Sequence, residues 1–140
     1  MSTMTAEMSL VLNITMLHTR VQKIIEQHLY VHGISFTEFM VMHYLHDAPK
    51  ESMRRIDLAR HIGLSASGVT RLLMPMQKIG LVEKEVNPRD ARVSLVKLTQ
   101  SGKTIYADAL TSFEYGASSL TQKLSAKQLA EFTRMTEIPL

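Results

Sequence analysis

The stretch from Arg55 to Lys78 constrains the fold more than any other part of the chain. It opens Arg-Ile-Asp-Leu-Ala-Arg-His-Ile-Gly-Leu-Ser-Ala-Ser-Gly-Val-Thr-Arg-Leu-Leu. Ala59 is followed by Gly63 four residues on and by Val69 six further on. The spacing has a physical cause. A methyl side chain at Ala59 lets a second helix come close to the first. Gly63, just past a helix end, adopts the left-handed backbone that other residues resist. Val69 then points back into the angle between the helices. Leu58, Ile62, Leu72 and Leu73 complete a miniature core, and Ser65 stands where an N-cap belongs. The pattern predicts helices over Ile56–Ile62 and Ala66–Ile79 joined by a tight turn. Pro75 falls inside the second; it predicts a local bend and not a stop, because Met76, Ile79 and the terminating Gly80 continue the pattern.

The second helix of this pair exposes Ala66, Ser67, Thr70 and Arg71 near its N-terminal end. Small polar side chains allow close approach to a groove floor, and a helix N-terminus favours phosphate oxygens. Arg71 can take a guanine edge bidentately, or a phosphate. In a helix-turn-helix the second helix enters the major groove and contacts bases from its N-terminal part. Charge agrees. The whole chain carries only +3, but residues 50–103 hold eleven Lys/Arg against five Asp/Glu, a net +6, and the rest is −3. Clustered positive charge sets a long-range field suited to a polyanion.

Around this centre the periodicity is mostly helical. Residues 6–31 predict a long helix with two apolar stripes, one through Leu10, Ile14, Leu17, Val21, Ile24 and His28, the other through Met8, Val11, Ile25 and Leu29. Two stripes exceed what a surface helix needs; they suit a helix packed on its own domain and on a second copy of the chain. Gly33 ends it, and Phe36–His46 predicts the next, broken by Asp47-Ala48-Pro49. Met53 starts a short strand or extended link. Val82–Val86 and Arg92–Leu98 predict strands around Asn87-Pro88-Arg89-Asp90. At that tip Asp90 reads as a brace for a neighbouring arginine, leaving Arg89 or Arg92 to enter a narrow minor groove, where the negative potential is enhanced. Thr99–Leu124 returns to helix along Tyr106, Leu110, Phe113, Ala117, Leu120 and Leu124, with Gly116 as its weak point. Ser125 and Gln128 form a capping box before a last helix through Leu129, Phe132 and Met135, ending near Pro139.

Taken together, the chain resembles the MarR (multiple antibiotic resistance regulator) family of winged-helix transcription factors along nearly its whole length. The resemblance is densest in Asp57-Leu58-Ala59, Ser67-Gly68-Val69-Thr70-Arg71-Leu72, Lys78-Ile79-Gly80-Leu81-Val82, Pro88-Arg89-Asp90-Ala91-Arg92 and Leu98-Thr99-x-x-Gly102. It implies a mainly α fold with a small β-hairpin wing. It implies a single domain over 1–140, with 6–31 and 104–140 as dimerisation helices and 50–103 as a winged helix-turn-helix DNA-binding lobe, its helix-turn-helix at about 55–78 and its wing at about 82–98. It further implies a cytoplasmic homodimer that binds double-stranded DNA at a pseudo-palindromic operator, most often as a repressor released by small, often aromatic, effectors. The DNA-binding candidates are Arg54, Arg55, Ser65, Ala66, Ser67, Thr70, Arg71, Arg89, Asp90 and Arg92. Arg54 and Arg55 stand where the family usually has a Ser or Thr cap, so a phosphate contact is expected of them instead. The effector pocket, carried over by position, would draw on Met16, His18, Arg20, Phe36, Phe39, Met40 and His43.

Several chemistries have no support in the residues. There is no Cys, so disulfides, thiolate metal sites, cysteine nucleophiles and thiol-based peroxide sensing are excluded. No GxGxxG, P-loop, HExxH or GxSxG motif is present, and an enzyme is not expected. No cofactor or metal is expected either. The pairs His28/His32 and His43/His46 have metal-ligand spacing, but no Asp or Glu completes a site beside them; a zinc-type metal-responsive regulator of the same fold is an alternative, as is a winged helix used only for protein assembly. The ten Met could line an adaptable pocket or simply fill the core. The apolar run Met8–Leu17 lacks a basic leader and a cleavage site and is shorter than the ~20 residues of a membrane span.

Overall fold

The computed structural model describes residues 3–139; Met1, Ser2 and Leu140, which the expected boundaries include, lie outside the described residues. The elements run α1 (Ala6–Leu29), α2 (Phe36–Asp47), β1 (Ser52–Arg54), α3 (Arg55–Ile62), α4 (Ala66–Lys78), β2 (Val82–Val86), β3 (Ser94–Leu98), α5 (Gln100–Thr121) and α6 (Ala126–Thr136). The fold is mainly α with one small antiparallel sheet, as expected. The hairpin is joined by β1, giving the order β1-β3-β2, with Met53 opposite Val96 and Lys84 opposite Val96 on its other edge.

Local chemistry sets most of the boundaries. Thr5 caps α1 through Met8 N–H at 3.1 Å. The regular helix stops at Leu29, two residues before the expected end, and Tyr30–His32 tightens into a 3-10 turn closed by left-handed Gly33. A reciprocal capping box, Ser35 with Glu38, starts α2, and a second, Ser125 with Gln128, starts α6 as the sequence predicts. Further boundaries shift: α2 runs one residue on to Asp47, α3 starts one residue early at Arg55, and α4 ends one residue early at Lys78. The third strand begins at Ser94, not Arg92, because Asp90 captures the Arg92 amide at 3.0 Å and its carbonyl takes the Val93 amide, also at 3.0 Å. Thr99 is the cap of α5 and not its first residue. That helix ends at Thr121, and Leu124 closes the turn beyond it with a bond to the Thr121 carbonyl.

The core lies where α1's last turns, α2, α3, α4, α5 and the sheet meet. Ile25, Leu29, Val41, Met42, Leu45, Leu58, Val69, Leu73, Met76, Val96 and Leu98 are all buried there. Two glycines are required by close packing. A Cβ on Gly116 would sit 2.9 Å from Ile25 and 3.1 Å from the His28 ring, so the apparent weak point of α5 is where α1 crosses it closely. A Cβ on Gly102 would meet the Leu81 carbonyl oxygen at 2.2 Å. Thr99 secures that approach: its hydroxyl bonds the Gly80 and Leu81 carbonyls and accepts the Gly102 amide.

The stripes of α1 divide between two fates. Ile25 and Leu29 are buried, while Met8, Leu10, Val11, Ile14 and Leu17 are exposed. Leu129, Phe132, Met135 and Ile138 in and after α6 are exposed as well, as are Leu110 and Leu124.

Candidate nucleic-acid interface

The helix pair α3–α4 forms as its spacing dictates. Ala59 and Val69 are buried between the helices with Leu58 and Leu73. Gly63 has φ of 76°, and its amide and that of Leu64 both return to the Ala59 carbonyl, at 2.9 and 3.0 Å. Ser65 caps α4 by accepting the Gly68 amide at 3.1 Å, and its hydroxyl lies 3.2 Å from that of Ser67. Pro75 sits inside α4 without ending it. The buried face of α4 is Val69, Leu73 and Met76; Ala66, Ser67 and Arg71 stand exposed on the opposite side, with Thr70 half-buried at its margin. Among the described residues no acidic group pairs with Arg71.

The two arginines ahead of this pair have different tasks. Arg54 donates to Asp57 through Nε at 2.8 Å and Nη2 at 3.1 Å. This bidentate contact holds the Asp57 carboxyl below the usual carboxylate range and raises the guanidinium's pKa. Arg54 is thus held by an internal partner in the free chain, a pairing that the i, i+3 spacing permits. Arg55 instead reaches across to α4, where its Nη1 donates to the Thr70 hydroxyl at 3.3 Å. Its Nε is buried with no hydrogen-bond partner, and among the described residues no carboxylate lies in ion-pair range of it.

At the hairpin tip the expected brace is present. Asp90 accepts Arg92 Nε at 3.1 Å and the Arg92 amide at 3.0 Å. The guanidinium hydrogen bond, helped by the backbone one, holds the Asp90 carboxyl below its ordinary range. The Arg92 side chain is nonetheless 91% exposed, so the brace aims the arginine without covering it. Asn87 fixes the other side of the tip by accepting the Arg89 amide at 2.9 Å. Arg89 is exposed, and among the described residues it forms no ion pair.

The effector candidates fall into two groups. Phe36, Phe39 and His43 come together on α2 in an aromatic cluster with Phe113 and Tyr106 of α5. The Phe39 and Phe113 centroids are 4.9 Å apart, and Phe39 and Tyr106 are 5.4 Å apart. Phe39 itself is buried in the core. His43 Nδ1 lies 2.8 Å from the Tyr106 hydroxyl and its Nε2 3.6 Å from Asp47. Burial, with the Asp47 charge, pushes the Tyr106 phenol up. Met40 is half-buried on the same helix. Met16, His18 and Arg20 stand apart from this cluster, exposed on α1. Phe113, Tyr106 and His46 were not among the candidates. Tyr106 and Phe113 join from α5, more than sixty residues from Phe36, so spacing along the chain carries no signal for them, whereas His46 lies one helical turn past His43 and is legible from that spacing. Of the histidine pairs, His32 bonds Ser112 at 2.7 Å and His46 faces Glu51 at 3.8 Å. Among the described residues no three His, Asp or Glu side chains converge into a metal-binding group.

A capped recognition helix packed against a leading helix, followed by a braced two-stranded tip, is a winged helix-turn-helix. Comparison with known proteins agrees. The sequence model of the MarR family matches residues 32–93. A relative from Bacillus subtilis, the uncharacterised HTH-type transcriptional regulator YhbI, is 25% identical over 113 residues, covering 81% of this chain and 72% of its own. A mutant MarR from E. coli, solved in complex with operator DNA, is 25% identical with a TM-score of 0.85, and 94% of each chain is covered. The organohalide-sensing regulator RdhR in its 2,4-dichlorophenol-bound form shares the fold at 19% identity and a TM-score of 0.85, over 96% of this chain and 79% of the other. Over residues 32–93 and in its fold the chain is similar to transcriptional regulators of the MarR family. Among the described residues no helix is long and apolar enough to cross a membrane.

Proposed function

We propose that this chain is a transcriptional regulator of the MarR family that binds double-stranded DNA sequence-specifically as a homodimer and acts as a repressor released by a small aromatic effector. The observation that carries the reading is the exposed Arg71, without an acidic partner among the described residues, on a serine-capped helix, beside a tip whose carboxylate aims Arg92 outward. Neither feature serves the core, and both suit a phosphate-lined groove. Residues 50–103 form the DNA-binding lobe in this reading. Ser65, Ala66, Ser67, Thr70 and Arg71 enter the major groove, and Arg89 and Arg92 reach the flanking minor groove, with Asp90 as the brace. Arg55 borders the phosphates, and Arg54 acts through Asp57. The complex of the E. coli relative with operator DNA supports the same class of ligand.

Residues 6–31 and 104–140 supply the dimer contact. The exposed apolar residues of α1 and α6 form faces that a lone chain leaves in water, and contiguous exposed apolar surface marks an interaction site. A two-fold pair places its recognition helices in successive major grooves, about 34 Å apart. The aromatic cluster of Phe36, Phe39 and His43, with Met40 beside it and Met16, His18 and Arg20 from α1, is the effector region. The dichlorophenol complex of RdhR illustrates the ligand class. An effector acts only by binding one spacing of the lobes better than the other.

Duplex DNA from the region upstream of the coding sequence, titrated by fluorescence anisotropy at rising salt, tests the reading. Saturable binding with an affinity that falls steeply with salt is expected; salt-independent binding, or none, overturns it. Phenolic acids added to the complex should lower its affinity if the effector assignment is correct.

A further inference from the structure

Thr70 lies at the margin of the recognition face with its hydroxyl engaged on both sides. It donates its proton to the Ala66 carbonyl at 3.1 Å and accepts Arg55 Nη1 at 3.3 Å. A threonine hydroxyl has a single proton and two lone pairs. With the proton used inside the helix, Thr70 has none to give to the guanine N7 and O6 or thymine O4 acceptors of the major groove. The bond to Ala66, one turn back, turns Oγ1 against the helix backbone. Arg55 holds it there from α3, on a guanidinium whose buried Nε anchors no other group. With Oγ1 held by two partners, the Cγ2 methyl is the part of the side chain that no hydrogen bond engages.

We propose that Thr70 reads DNA with its methyl group and not its hydroxyl, so that the protein selects the 5-methyl of thymine at one position of each half-site, with Arg55 as the positioning residue that keeps the hydroxyl turned away. The proposal rests on the DNA-binding reading above. It also assigns the half-buried state of Thr70 a purpose: an apolar methyl at the edge of the helix pair contacts a base methyl without stranding a polar group. Cytosine methylated at C5 offers the same group and should replace thymine in part at that position.

The test starts from a duplex selected by the full-length protein from a random library. Each thymine is then replaced singly by deoxyuridine, which lacks only the methyl. One thymine per half-site should weaken wild-type binding by about fourfold, the scale of one buried methyl. Thr70→Val, which keeps a methyl and loses the hydroxyl, should retain the affinity and the uracil penalty. Thr70→Ser, which keeps the hydroxyl and loses the methyl, should bind thymine and uracil duplexes alike. Arg55→Met should reduce the thymine-to-uracil affinity ratio while Thr70 is intact and leave that ratio unchanged in the Thr70→Val background; a phosphate contact or a merely structural role for Arg55 would weaken both duplexes equally and leave the ratio of the wild-type Thr70 protein in place. If Thr70→Ser matches wild type and Thr70→Val loses binding, the hydroxyl is the reader and the proposal fails. If wild-type protein binds with no uracil-sensitive thymine, the proposal fails while DNA binding stands. Failure to select any duplex sinks both.

Discussion

The lobe built from α3, α4 and the sheet differs from the face formed by α1's first turns and α6. In the lobe the inner angle of the helix pair is covered: Leu58, Ala59, Val69, Leu73 and Met76 are buried, and Ile62 and Leu72 pack against them partly buried. On α1 and α6 the same kinds of side chain, Leu10, Ile14, Phe132 and Met135, are exposed. α4 in the lobe and α1 and α6 on the other face all begin at side-chain caps, so the contrast is not one of local propensity. It is one of where the covering surface comes from. The lobe supplies its own, and the second region supplies half of one. A helix's apolar stripe says that it packs, and only the tertiary arrangement says on what.

The contrast can be broken most directly on the uncovered side. Ile14→Glu combined with Phe132→Glu should abolish the proposed dimer outright, read by sedimentation as a shift to the monomer mass. A variant that still sediments as a dimer would place the contact elsewhere. In the lobe, Leu58→Ala should cost about 2–5 kcal/mol of stability, the range for emptying a buried leucine site, measured by urea unfolding. A loss no larger than that of an exposed leucine would mean the lobe is looser than its packing indicates. Arg71→Ala should leave the melting temperature in place and weaken specific DNA binding by about 1–3 kcal/mol, seen in anisotropy titrations. Ser65→Ala removes the cap of α4 and should destabilise by about 1 kcal/mol, measured by thermal melts.

The smallest effect is in acid. Asp57 and Asp90 have folded pKa values held below their ordinary ones by Arg54 and Arg92. Their contribution is therefore complete above the unfolded carboxylate value, about 3.9, and lost as pH falls through the lower folded values. Both pairs are at the surface, where ion pairs are worth little. Asp57→Asn should be slightly less stable than wild type at neutral pH, and the two should converge as pH falls below that range. Parallel curves down to the lowest pH would remove the ion pair as the cause.

How much of this was legible in the sequence follows from the range of the interactions. The turn at Gly63, the cap at Ser65, the box at Ser125 and the brace at Asp90 are local, and residue type at fixed spacing predicted each. The box at Ser35 and Glu38 has the same spacing as the one at Ser125 and was equally available. The Arg54–Asp57 pair was too; an expectation of phosphate contact overlooked a carboxylate one helical turn away. The aromatic cluster of α2 with α5 was not legible, because Phe36 and Phe113 meet only through the tertiary fold. Nor were the left-handed backbones of Lys50 and Glu51, at φ of 57° and 55°. Those residue types carry no signal for that conformation, and Glu51 is fixed there by Lys103 of α5 at 3.0 Å. Gly116 and Gly102 read as helix weaknesses or family marks until the atoms opposite them are seen.

The helix α5 has a mechanical consequence. It runs unbroken from Gln100 to Thr121, about 33 Å at 1.5 Å per residue. At one end Thr99 and Gly102 bolt it to the turn between α4 and β2; toward the other, Gly116 packs closely on Ile25 and His28 of α1. With no flexible joint between, it is a lever arm. A tilt of about 5° at the far end displaces the near end by about 3 Å over that length, close to one base-pair step. In the DNA-binding reading proposed above, a tilt of α5 is delivered to α4 as a translation along the groove and not dissipated in a loop.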